Sequence, residues 1–397
     1  MIPTSPDSIP LRIGICGFGV AGGALAILLA RAGHRVTLLE RAPQVGPVGA
    51  GFLLQPSGQR VLAQLGLLEP IVAQAARLEH LIAFTETGAP LTDLRFGGIT
   101  GKGCAYGVHR GVLFTALHTA AIEAGARIVL GAEIAGLQET PDEVLIRDEA
   151  GRTHGPFDLV IGADGSRSWV RHWLNPTTAR VEYEHGAWWG CGRCEWPTSE
   201  LYQVARSARR LLGLLPLGHG RCTFFWGLRR DEVDPTKARG FAAFRTEVIA
   251  LCPRAESIID DIGSFDQLMF AGYQQALPNR VHSARVVLAG DAAHAMSPHL
   301  GQGANLALLD AECLGRHLAA SPIPKALSAY AAERLPQSRY FSLLSRGLSP
   351  FFQSDSALLG CGRDLALPLM GEVPWFRRQM ELSVAGLKRG FLDQLWS

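Results

Sequence analysis

The hydrophobic pattern of the first forty residues alternates between short apolar runs and a stretch of helical character. Residues 11–16 (LRIGIC) predict a buried strand, and residues 35–40 (RVTLLE) predict a second one. Between them a glycine-rich turn leads into a predicted helix of small residues that ends near Ala32, just before Gly33. A strand, a helix and a strand within about 30 residues form a β-α-β unit, which is the usual frame of a dinucleotide site.

Further along the chain this pattern is interrupted and then returns. From about Pro176 to residue 275 the sequence is rich in tryptophan and in strand-like runs, and at Arg285 a buried strand, RVVLAG, resumes the earlier pattern. Beyond the first unit, the predicted helices are 56–65, 113–123, 241–251 and 303–319, and the predicted strands are 127–130, 134–139, 143–148, 158–162, 187–196, 211–217, 222–229 and 285–290. The interruption predicts domains that are discontinuous in sequence.

Composition excludes several classes of protein. The chain of 397 residues is 47% hydrophobic and 19% charged, so it can bury a large core, which a disordered chain cannot. The 38 Lys and Arg nearly balance the 36 Asp and Glu, which favours neither nucleic-acid binding nor a polybasic membrane anchor. Because the sequence shows no signal-peptide pattern and no apolar window of the ~18 residues that span a bilayer, a soluble cytoplasmic protein is expected.

Among the eight cysteines, Cys191 and Cys194 form the one C-x-x-C pair. Such a pair can be a redox couple or half of a zinc site. No second close Cys/His pair completes a ligand set in the sequence, so no metal is expected. The segment predicts a strand, on which side chains three apart point to opposite faces. Two ordinary thiols are therefore the favoured interpretation.

The 45 glycines exceed the average share, and several lie in one loop, Gly17-Phe18-Gly19-Val20-Ala21-Gly22, which matches G-x-G-x-x-G. In such a loop one glycine permits the tight turn, one lets the backbone approach a pyrophosphate, and one lets the helix pack on the strand. Glu40 ends the next strand 23 residues after Gly17, close to the ~20 at which a carboxylate accepts the ribose hydroxyls. The loop therefore predicts dinucleotide binding.

Two further acidic motifs follow buried strands. Residues 164–171 (DGSRSWVR) follow DLVIGA, and residues 290–294 (GDAAH) follow RVVLA and continue through Pro298 to 301–305 (GQGAN) and Asp310. With the glycine loop, these motifs resemble the signature set of the flavoprotein aromatic hydroxylases, the single-component FAD monooxygenases folded like p-hydroxybenzoate hydroxylase. The resemblance covers about residues 11–345 in order and spacing.

The resemblance implies an α/β fold in which a Rossmann-like FAD-binding domain carries an inserted α+β substrate domain, covered by a mostly antiparallel sheet, and C-terminal helices. The implied FAD-binding domain comprises residues 1–75, 100–178 and 280–346; the substrate-binding domain comprises 76–99 and 179–279. Residues 347–397 are expected to form helices with breaks at Pro368 and Pro374. Packing of these helices on the FAD domain is favoured over a basic amphipathic membrane helix.

The resemblance also assigns a cofactor-binding set, in which the first loop holds the FAD pyrophosphate and Glu40 the adenosine ribose, with Arg41 beside the adenine. Arg110, just before a helix, would reach the flavin, and Asp291 would take the ribityl hydroxyls. The full implied set is Gly17, Gly19, Val20, Ala21, Gly22, Glu40, Arg41, Arg110, Asp164, Asp291, Pro298, Gly301, Gly303, Ala304 and Asn305. Residues 298–305 would bring N–H groups and a helix N-terminus to the flavin, where they stabilise the negative charge of its reduced form.

Several of these residues have a second interpretation. Asp164 either contacts FAD and NAD(P)H or caps neighbouring N–H groups, and Arg171 of the same motif is equally compatible with a salt bridge. Arg110 could be a surface arginine, and a structural role is favoured for His294 over acid-base catalysis. Three tryptophans could form a substrate-stacking wall or a packed sheet face, but two of them are adjacent on a strand and point to opposite faces. They are Trp188, Trp189 and Trp226.

The function implied by the resemblance is an FAD-dependent monooxygenase that uses NADH or NADPH and oxygen to hydroxylate a phenolic, heteroaromatic or polycyclic compound through a flavin C4a-hydroperoxide. Alternatives are a flavin halogenase or prenyl reductase, and a non-enzymatic flavin-binding redox sensor. WWGCGR and CEWP do not match the W-x-W-x-I-P stretch of halogenases. The expected partners are a small aromatic substrate and oxygen, without nucleic acid or membrane insertion, in a monomer or homodimer. No catalytic residue is assigned.

Overall fold

The computed structural model describes residues 9–44, 46, 50–97, 103–177, 181–195 and 199–391. The strands are β1 (Arg12–Cys16), β2 (Arg35–Glu40), β3 (Gly51–Leu54), β4 (Ala76–Leu78), β5 (His80–Thr85), β6 (Pro90–Arg95), β7 (Ala105–His109), β8 (Arg127–Leu130), β9 (Ile134–Glu139), β10 (Val144–Asp148), β11 (Thr153–Phe157), β12 (Leu159–Gly162), β13 (Val181–Arg193), β14 (Glu200–Arg206), β15 (Arg210–Gly218), β16 (Arg221–Arg229), β17 (Met269–Gln275) and β18 (Val286–Leu288). The helices are α1 (Val20–Arg31), α2 (Pro56–Gln64), α3 (Leu68–Val72), α4 (Arg110–Glu123), α5 (Trp169–Leu174), α6 (Val233–Ala238), α7 (Phe241–Leu251), α8 (Glu256–Ile262), α9 (Asp291–His294), α10 (Gly303–Ala320), α11 (Ile323–Phe352), α12 (Ala357–Glu372) and α13 (Pro374–Val384).

A five-stranded parallel sheet, in the order β18-β12-β1-β2-β8, forms the centre of the nucleotide-binding part. Helices α1, α4 and α10 cover one face through residues such as Leu25, Leu117 and Leu314. The antiparallel strands β9–β11 and helix α5 cover the other face, around Ile146 and Val170. Burial on both faces explains why these strands appear in the sequence as continuous apolar runs. The predicted β-α-β unit is confirmed as β1-α1-β2.

A second, seven-stranded sheet has the order β17-β13-β16-β15-β14-β5-β6 and is antiparallel except for the pair β14 and β5. Strands β5 and β6 belong to the segment 76–99 that was assigned to the substrate domain, whereas β4 pairs with β7. Helices α7 and α8 pack on one face of the sheet, which is called the outer face below. The predicted mostly antiparallel sheet of a second domain is thus present, and the domain boundaries stay a proposal.

The tryptophans divide between the two faces of this sheet. Trp188 and Trp226 are almost fully buried on the outer face, where the Phe244 ring of α7 meets both of them edge-on. Trp189 points to the opposite face and lies against Phe225, with ring centroids 5.1 Å apart. The prediction that adjacent tryptophans face opposite sides is confirmed, and two of the three tryptophans are core residues.

The predicted helix 113–123 begins three residues earlier, at Arg110. The His109 ring caps it, because its Nδ1 accepts the Gly111 N–H at 3.1 Å. A histidine is not among the usual capping residues, so the sequence pattern placed the start too late.

The cysteines of the C-x-x-C pair are free thiols, and β13 continues through position 192 without the turn that a disulfide would need. Cys191 Sγ lies 3.6 Å from the Thr223 hydroxyl on the neighbouring strand. The described part of the strand ends at Arg193, and Trp196 lies outside the described residues.

The C-terminal helices depart from the prediction at one proline. Helix α11 continues across the proposed boundary at residue 347 to Phe352, and α12 continues through Pro368, so the expected break at Pro368 is wrong. A proline removes only its own N–H from the helix, and the packing of α12 on α11 and β6 holds the helix together there. Pro374 does begin a new helix, α13, whose last turn is buried. Within the described residues, no helix is both long and apolar enough to cross a membrane.

Candidate FAD and substrate site

The glycines of the first loop, Gly17, Gly19 and Gly22, differ in their structural surroundings. Gly17 has φ +100°, a conformation that disfavours other residues, and a Cβ on Gly22 would lie 2.1 Å from the Gly17 carbonyl oxygen. Gly19 is different, because a Cβ there would meet no atom within 4 Å. Gly19 is also the N-cap of α1 and offers no side chain to the free N–H groups of that helix. Val20 and Ala21 begin the helix, so this end of α1 suits a phosphate.

The Glu40 carboxylate is held by the same loop. One carboxylate oxygen accepts the Phe18 N–H at 2.7 Å and the other accepts the Ala42 N–H at 2.9 Å. Since an ionised carboxylate offers about four lone-pair sites, each oxygen keeps capacity for a hydroxyl donor. Arg41 is exposed beside it. Glu40 therefore fixes the loop and can still bind a ribose.

Asp164 caps the start of α5. Its carboxylate accepts the Ser168 hydroxyl and the N–H groups of Trp169 and Val170, at 2.7 and 3.1 Å for the two backbone donors. Burial raises the pKa of the Asp164 carboxyl, while these donors oppose the rise. Of the two interpretations of Asp164, the structure provides direct contacts for the capping one.

Replacing Asp164 with alanine is expected to cost about 1–2 kcal/mol of unfolding free energy, because three donors lose one acceptor group. Urea unfolding of the FAD-free protein measures this loss without any contribution from the cofactor. Asp142→Ala, at an exposed turn, is the matched control and should change stability by less than about 0.5 kcal/mol. A stable Asp164→Ala protein with weakened FAD binding would instead assign this residue to the cofactor alone.

Asp291 follows Gly290, which has φ +61°, and is the exposed first residue of the short helix α9. Its carboxylate faces the N-terminus of α10, with Oδ1 3.7 Å from the position that a Cβ on Gly303 would take. The Arg171 guanidinium donates to the main-chain carbonyl oxygens of Asp291 and Ala292, both at 3.2 Å, and so links the second motif to the third.

The Arg110 side chain is exposed, yet the surrounding protein lowers the pKa of its guanidinium, against the opposing attraction of Asp291. Arg110 and Asp291 are therefore electrostatic neighbours.

The loop before α10 is held in place by Asn305. The Asn305 amide donates to the carbonyl oxygens of Leu53 and Gly301, and its oxygen accepts the Gln55 N–H at 2.9 Å. Asn305 is fully buried, and its hydrogen bonds position the loop. Pro298 is exposed, Gly301 has φ +62°, and Gly303 and Ala304 begin α10 without a side-chain cap.

Behind this loop lies a buried ionic network. Asp310 accepts the Gly290 N–H at 2.8 Å, contacts His294 Nε2 at 2.7 Å and accepts from Arg334 Nε at 2.7 Å. Burial opposes ionisation of Asp310, but His294 and Arg334 outweigh it and hold its pKa at about 2. Burial lowers the pKa of His294, and the Asp310 carboxylate reverses this to a net rise. His294 thus has the structural role that the sequence favoured, and Arg334 is a member that sequence reasoning missed.

The face of the seven-stranded sheet opposite α7 and α8, called the inner face, lies toward these loops. The Tyr273 ring of β17 meets the His299 ring edge-on at 5.6 Å, and the Gly51 N–H donates to the Thr223 hydroxyl of β16 at 2.8 Å. Between these two contacts Trp189 and Phe225 are only half-buried. The part of the inner face around this pair is therefore partly accessible between the two contacts. The sequence did not single out Phe225, which lies in no motif, or His299, which lies within the segment 298–305 but was given no role of its own.

A cluster of Cys313, His317 and Glu333 has ligand atoms within 4.8 Å of one another. Glu333 already accepts from Arg316 and contacts His317, and burial raises the pKa of the Cys313 thiol to about 12. A neighbouring guanidinium and a protonated thiol both disfavour a bound cation.

Comparison with known proteins agrees with this geometry. A family model described as an FAD binding domain matches residues 11–341. The chain is 28% identical to the aurachin C monooxygenase/isomerase of Stigmatella aurantiaca, covering 91% of this chain and 94% of the relative. It is 32% identical to the 3-amino-4-hydroxybenzoate 2-monooxygenase of Streptomyces cremeus, covering 86% and 88%. The tetrameric form of 2-methyl-3-hydroxypyridine-5-carboxylic acid oxygenase shares the fold, with a TM-score of 0.80 at 21% identity over 97% of this chain and 99% of that one.

The fold and the site define a flavin-dependent oxidoreductase with a Rossmann-like cofactor domain. The chain belongs to the FAD-binding domain family, whose matched relatives are monooxygenases. Its cofactor is FAD, and the residues fit this group: Gly19 opens space at a helix N-terminus, and Glu40 and Asp291 offer carboxylate oxygens along one edge. The predicted class, an FAD-dependent monooxygenase of the aromatic-hydroxylase type, is confirmed, and the halogenase, reductase and sensor alternatives are not favoured.

Proposed function

We propose that the enzyme hydroxylates a small aromatic compound with NADH or NADPH and molecular oxygen. The observation that carries this proposal is the half-buried aromatic pair of Trp189 and Phe225 on the inner face, beside the contact of Tyr273 with His299 of the loop 298–301. The names of the two relatives, each a monooxygenase, support it. In the overall reaction NAD(P)H supplies two electrons, one oxygen atom enters the substrate as a hydroxyl group, and the other leaves as water.

When bound, FAD would accept the hydride and activate oxygen. The chain would hold it by three groups. N–H groups at the start of α1, with Gly17, Gly19 and Gly22 shaping the loop, would bind the pyrophosphate. Glu40 would bind the adenosine ribose, and Asp291 the ribityl chain. Free N–H groups at Gly303 and Ala304, at the start of α10, would stabilise the negative charge of the reduced flavin.

The protein's remaining contribution would be orientation and exclusion of water. The inner face would hold an aromatic ring by its flat side against Trp189 and Phe225, and the outer core behind it would keep that face rigid. Proximity of this kind is a substantial part of enzymatic rate enhancement. We further propose the domain division 1–75, 100–178 and 280–346 against 76–99 and 179–279, and a cytoplasmic monomer or homodimer.

The test is substrate-stimulated oxidation of NADH and NADPH by FAD-reconstituted protein, screened over aromatic acids, phenols and heteroaromatic compounds. We expect at least one compound to stimulate oxidation about tenfold or more and to carry one oxygen-18 atom when the reaction runs under labelled oxygen. The same protein without added FAD is the control. Protein that cannot be loaded with FAD, or stimulation that yields only hydrogen peroxide across the panel, would contradict the proposal. Product formed only when halide is present would point to the halogenase alternative.

A further inference from the structure

The inner face carries no charged side chain at its central positions. The register of β13, β16, β15 and β14 places alternate residues on this face. These residues are Ala187, Trp189, Cys191, Leu201, Gln203, Ala205, Leu211, Gly213, Leu215, Thr223, Phe225 and Gly227. Gln203, Cys191 and Thr223 are the polar members, and all three are neutral amide, thiol or hydroxyl groups.

The arginines at the two ends of β16 already have carboxylate partners. Arg221 contacts Asp261 at 2.9 Å, and Arg229 contacts Asp231 at 3.0 Å. An arginine whose charge is balanced in this way attracts a second carboxylate only weakly. Arg193, at the end of β13, shares Asp261 with Arg221, so this end of the sheet keeps one positive charge in excess, at its edge and not among the central positions.

Helix α12 and the loop before α10 also carry cationic or titratable side chains near the inner face. Arg363 lies over the Phe352 ring, but it donates to Asp364 and to the carbonyl oxygens of Ser207 and Phe351. His299, beside Tyr273, is neutral above about pH 5, because burial lowers its pKa to about 4. Neither element brings a free cation to the inner face among the residues that the structure describes.

We infer that the substrate is an uncharged aromatic or heteroaromatic compound with an apolar substituent, rather than an aromatic carboxylate. The inference rests on the proposed function and specifies its substrate class. An anion taken from water onto an apolar face without a cation or several donors loses far more solvation than it regains. A neutral ring loses little and gains contact with Trp189 and Phe225. The two named relatives leave the choice open, since only one of them is named for a benzoate.

The test uses the FAD-loaded enzyme and compares matched pairs of compounds in which a neutral group replaces a carboxylate at the same ring position. Suitable pairs are methyl 3-amino-4-hydroxybenzoate against 3-amino-4-hydroxybenzoate, and 2-methyl-4-hydroxyquinoline against 4-hydroxyquinoline-2-carboxylate. We expect kcat/KM for hydroxylated product to be at least 100-fold higher for the neutral member of any pair that is turned over. A carboxylate that is hydroxylated as efficiently as its neutral partner would overturn the inference and leave the proposed function standing. If no compound of any class is hydroxylated, the proposed function fails and the inference fails with it.

A variant of the protein tests whether the missing positive charge sets the preference for a neutral substrate. Gln203 is half-buried in the middle of the inner face, opposite Gly213 and Ala83. Gln203→Arg is expected to move the preference at least tenfold toward the carboxylate member of a pair, because it adds the missing cation. Gln203→Met, which removes the amide without adding charge, should not move the preference in that direction. Bound FAD, measured by its absorbance, verifies that each variant is folded, and the wild-type comparison stands alone if Gln203→Arg does not fold.

Discussion

Replacing Asp310 with asparagine is expected to lower the unfolding free energy of the enzyme by about 3–5 kcal/mol, the usual cost of breaking a buried ion pair by removing one partner. The carboxylate is fully buried and is shared by His294, Arg334 and the Gly290 N–H. An asparagine has the same size as the aspartate but no charge. Its NH₂ group donates, so it would face one of the groups that now donate to the carboxylate. The buried Arg334 guanidinium would then lack its counter-ion.

The acid side of the stability profile gives this prediction a second readout. The pKa of Asp310 is held at about 2 in the folded protein, below the ordinary 3.8. A carboxyl whose pKa is depressed by folding contributes stability that is complete above about pH 4 and is lost as the pH falls toward 2. That part of the acid dependence should be absent from the Asp310→Asn variant. Chemical unfolding between pH 2 and pH 7 measures both effects.

The control lies two residues away on the same helix. Glu312 forms an ion pair with the exposed side chain of Arg60. Exposed pairs contribute about 0–1 kcal/mol, so Glu312→Gln should change stability by no more than that. If the two variants lost equal unfolding free energy, the buried network would contribute no more to stability than the exposed ion pair. An Asp310→Asn protein of wild-type stability would contradict the role assigned to the network.

Local motifs were predictable because neighbouring residues determine them. The positive φ of Gly17, the packing of Gly22 and the position of Glu40 all lie within one β-α-β unit, where the sequence spacing fixes the geometry. The role of Asp164 was predictable only as a pair of alternatives, since a carboxylate at a loop can cap N–H groups or bind a ligand. The choice depended on where the N–H groups of α5 point.

Residues that act across the fold were not predictable in this way. Arg334 lies 24 residues after Asp310, in the middle of the long helix α11, and looks in the sequence like any polar residue of an amphipathic helix. The uncharged inner face appears only after four strands are paired, because each strand alone contributes three of its twelve positions. The residues proposed to contact the substrate therefore depend on the pairing of distant strands. Many of the residues proposed to bind FAD depend instead on spacing within one short segment.

Replacing Gly19 with valine is expected to weaken FAD binding by at least about 100-fold, which is about 2.7 kcal/mol, while the FAD-free protein loses no more than about 1 kcal/mol. The backbone at Gly19 is extended, with φ −105°, so any residue can adopt it, and a Cβ there would meet no protein atom within 4 Å. The small expected loss comes from placing a β-branched residue at a helix N-cap. The added methyl groups would instead occupy the space through which a pyrophosphate approaches the N-terminus of α1.

Two other glycines make this prediction specific. At Gly22 a Cβ would lie 2.1 Å from the Gly17 carbonyl oxygen, so Gly22→Ala should damage the fold and FAD binding together. At Gly362, on the exposed side of α12, a Cβ also meets no atom within 4 Å, so Gly362→Val should leave FAD binding unchanged. Fluorescence titration of the FAD-free proteins with FAD, paired with urea unfolding in its absence, separates the three cases. If Gly19→Val binds FAD as tightly as wild type, the open space above Gly19 is not where the cofactor's phosphates approach, and the assignment of this loop to FAD must be abandoned.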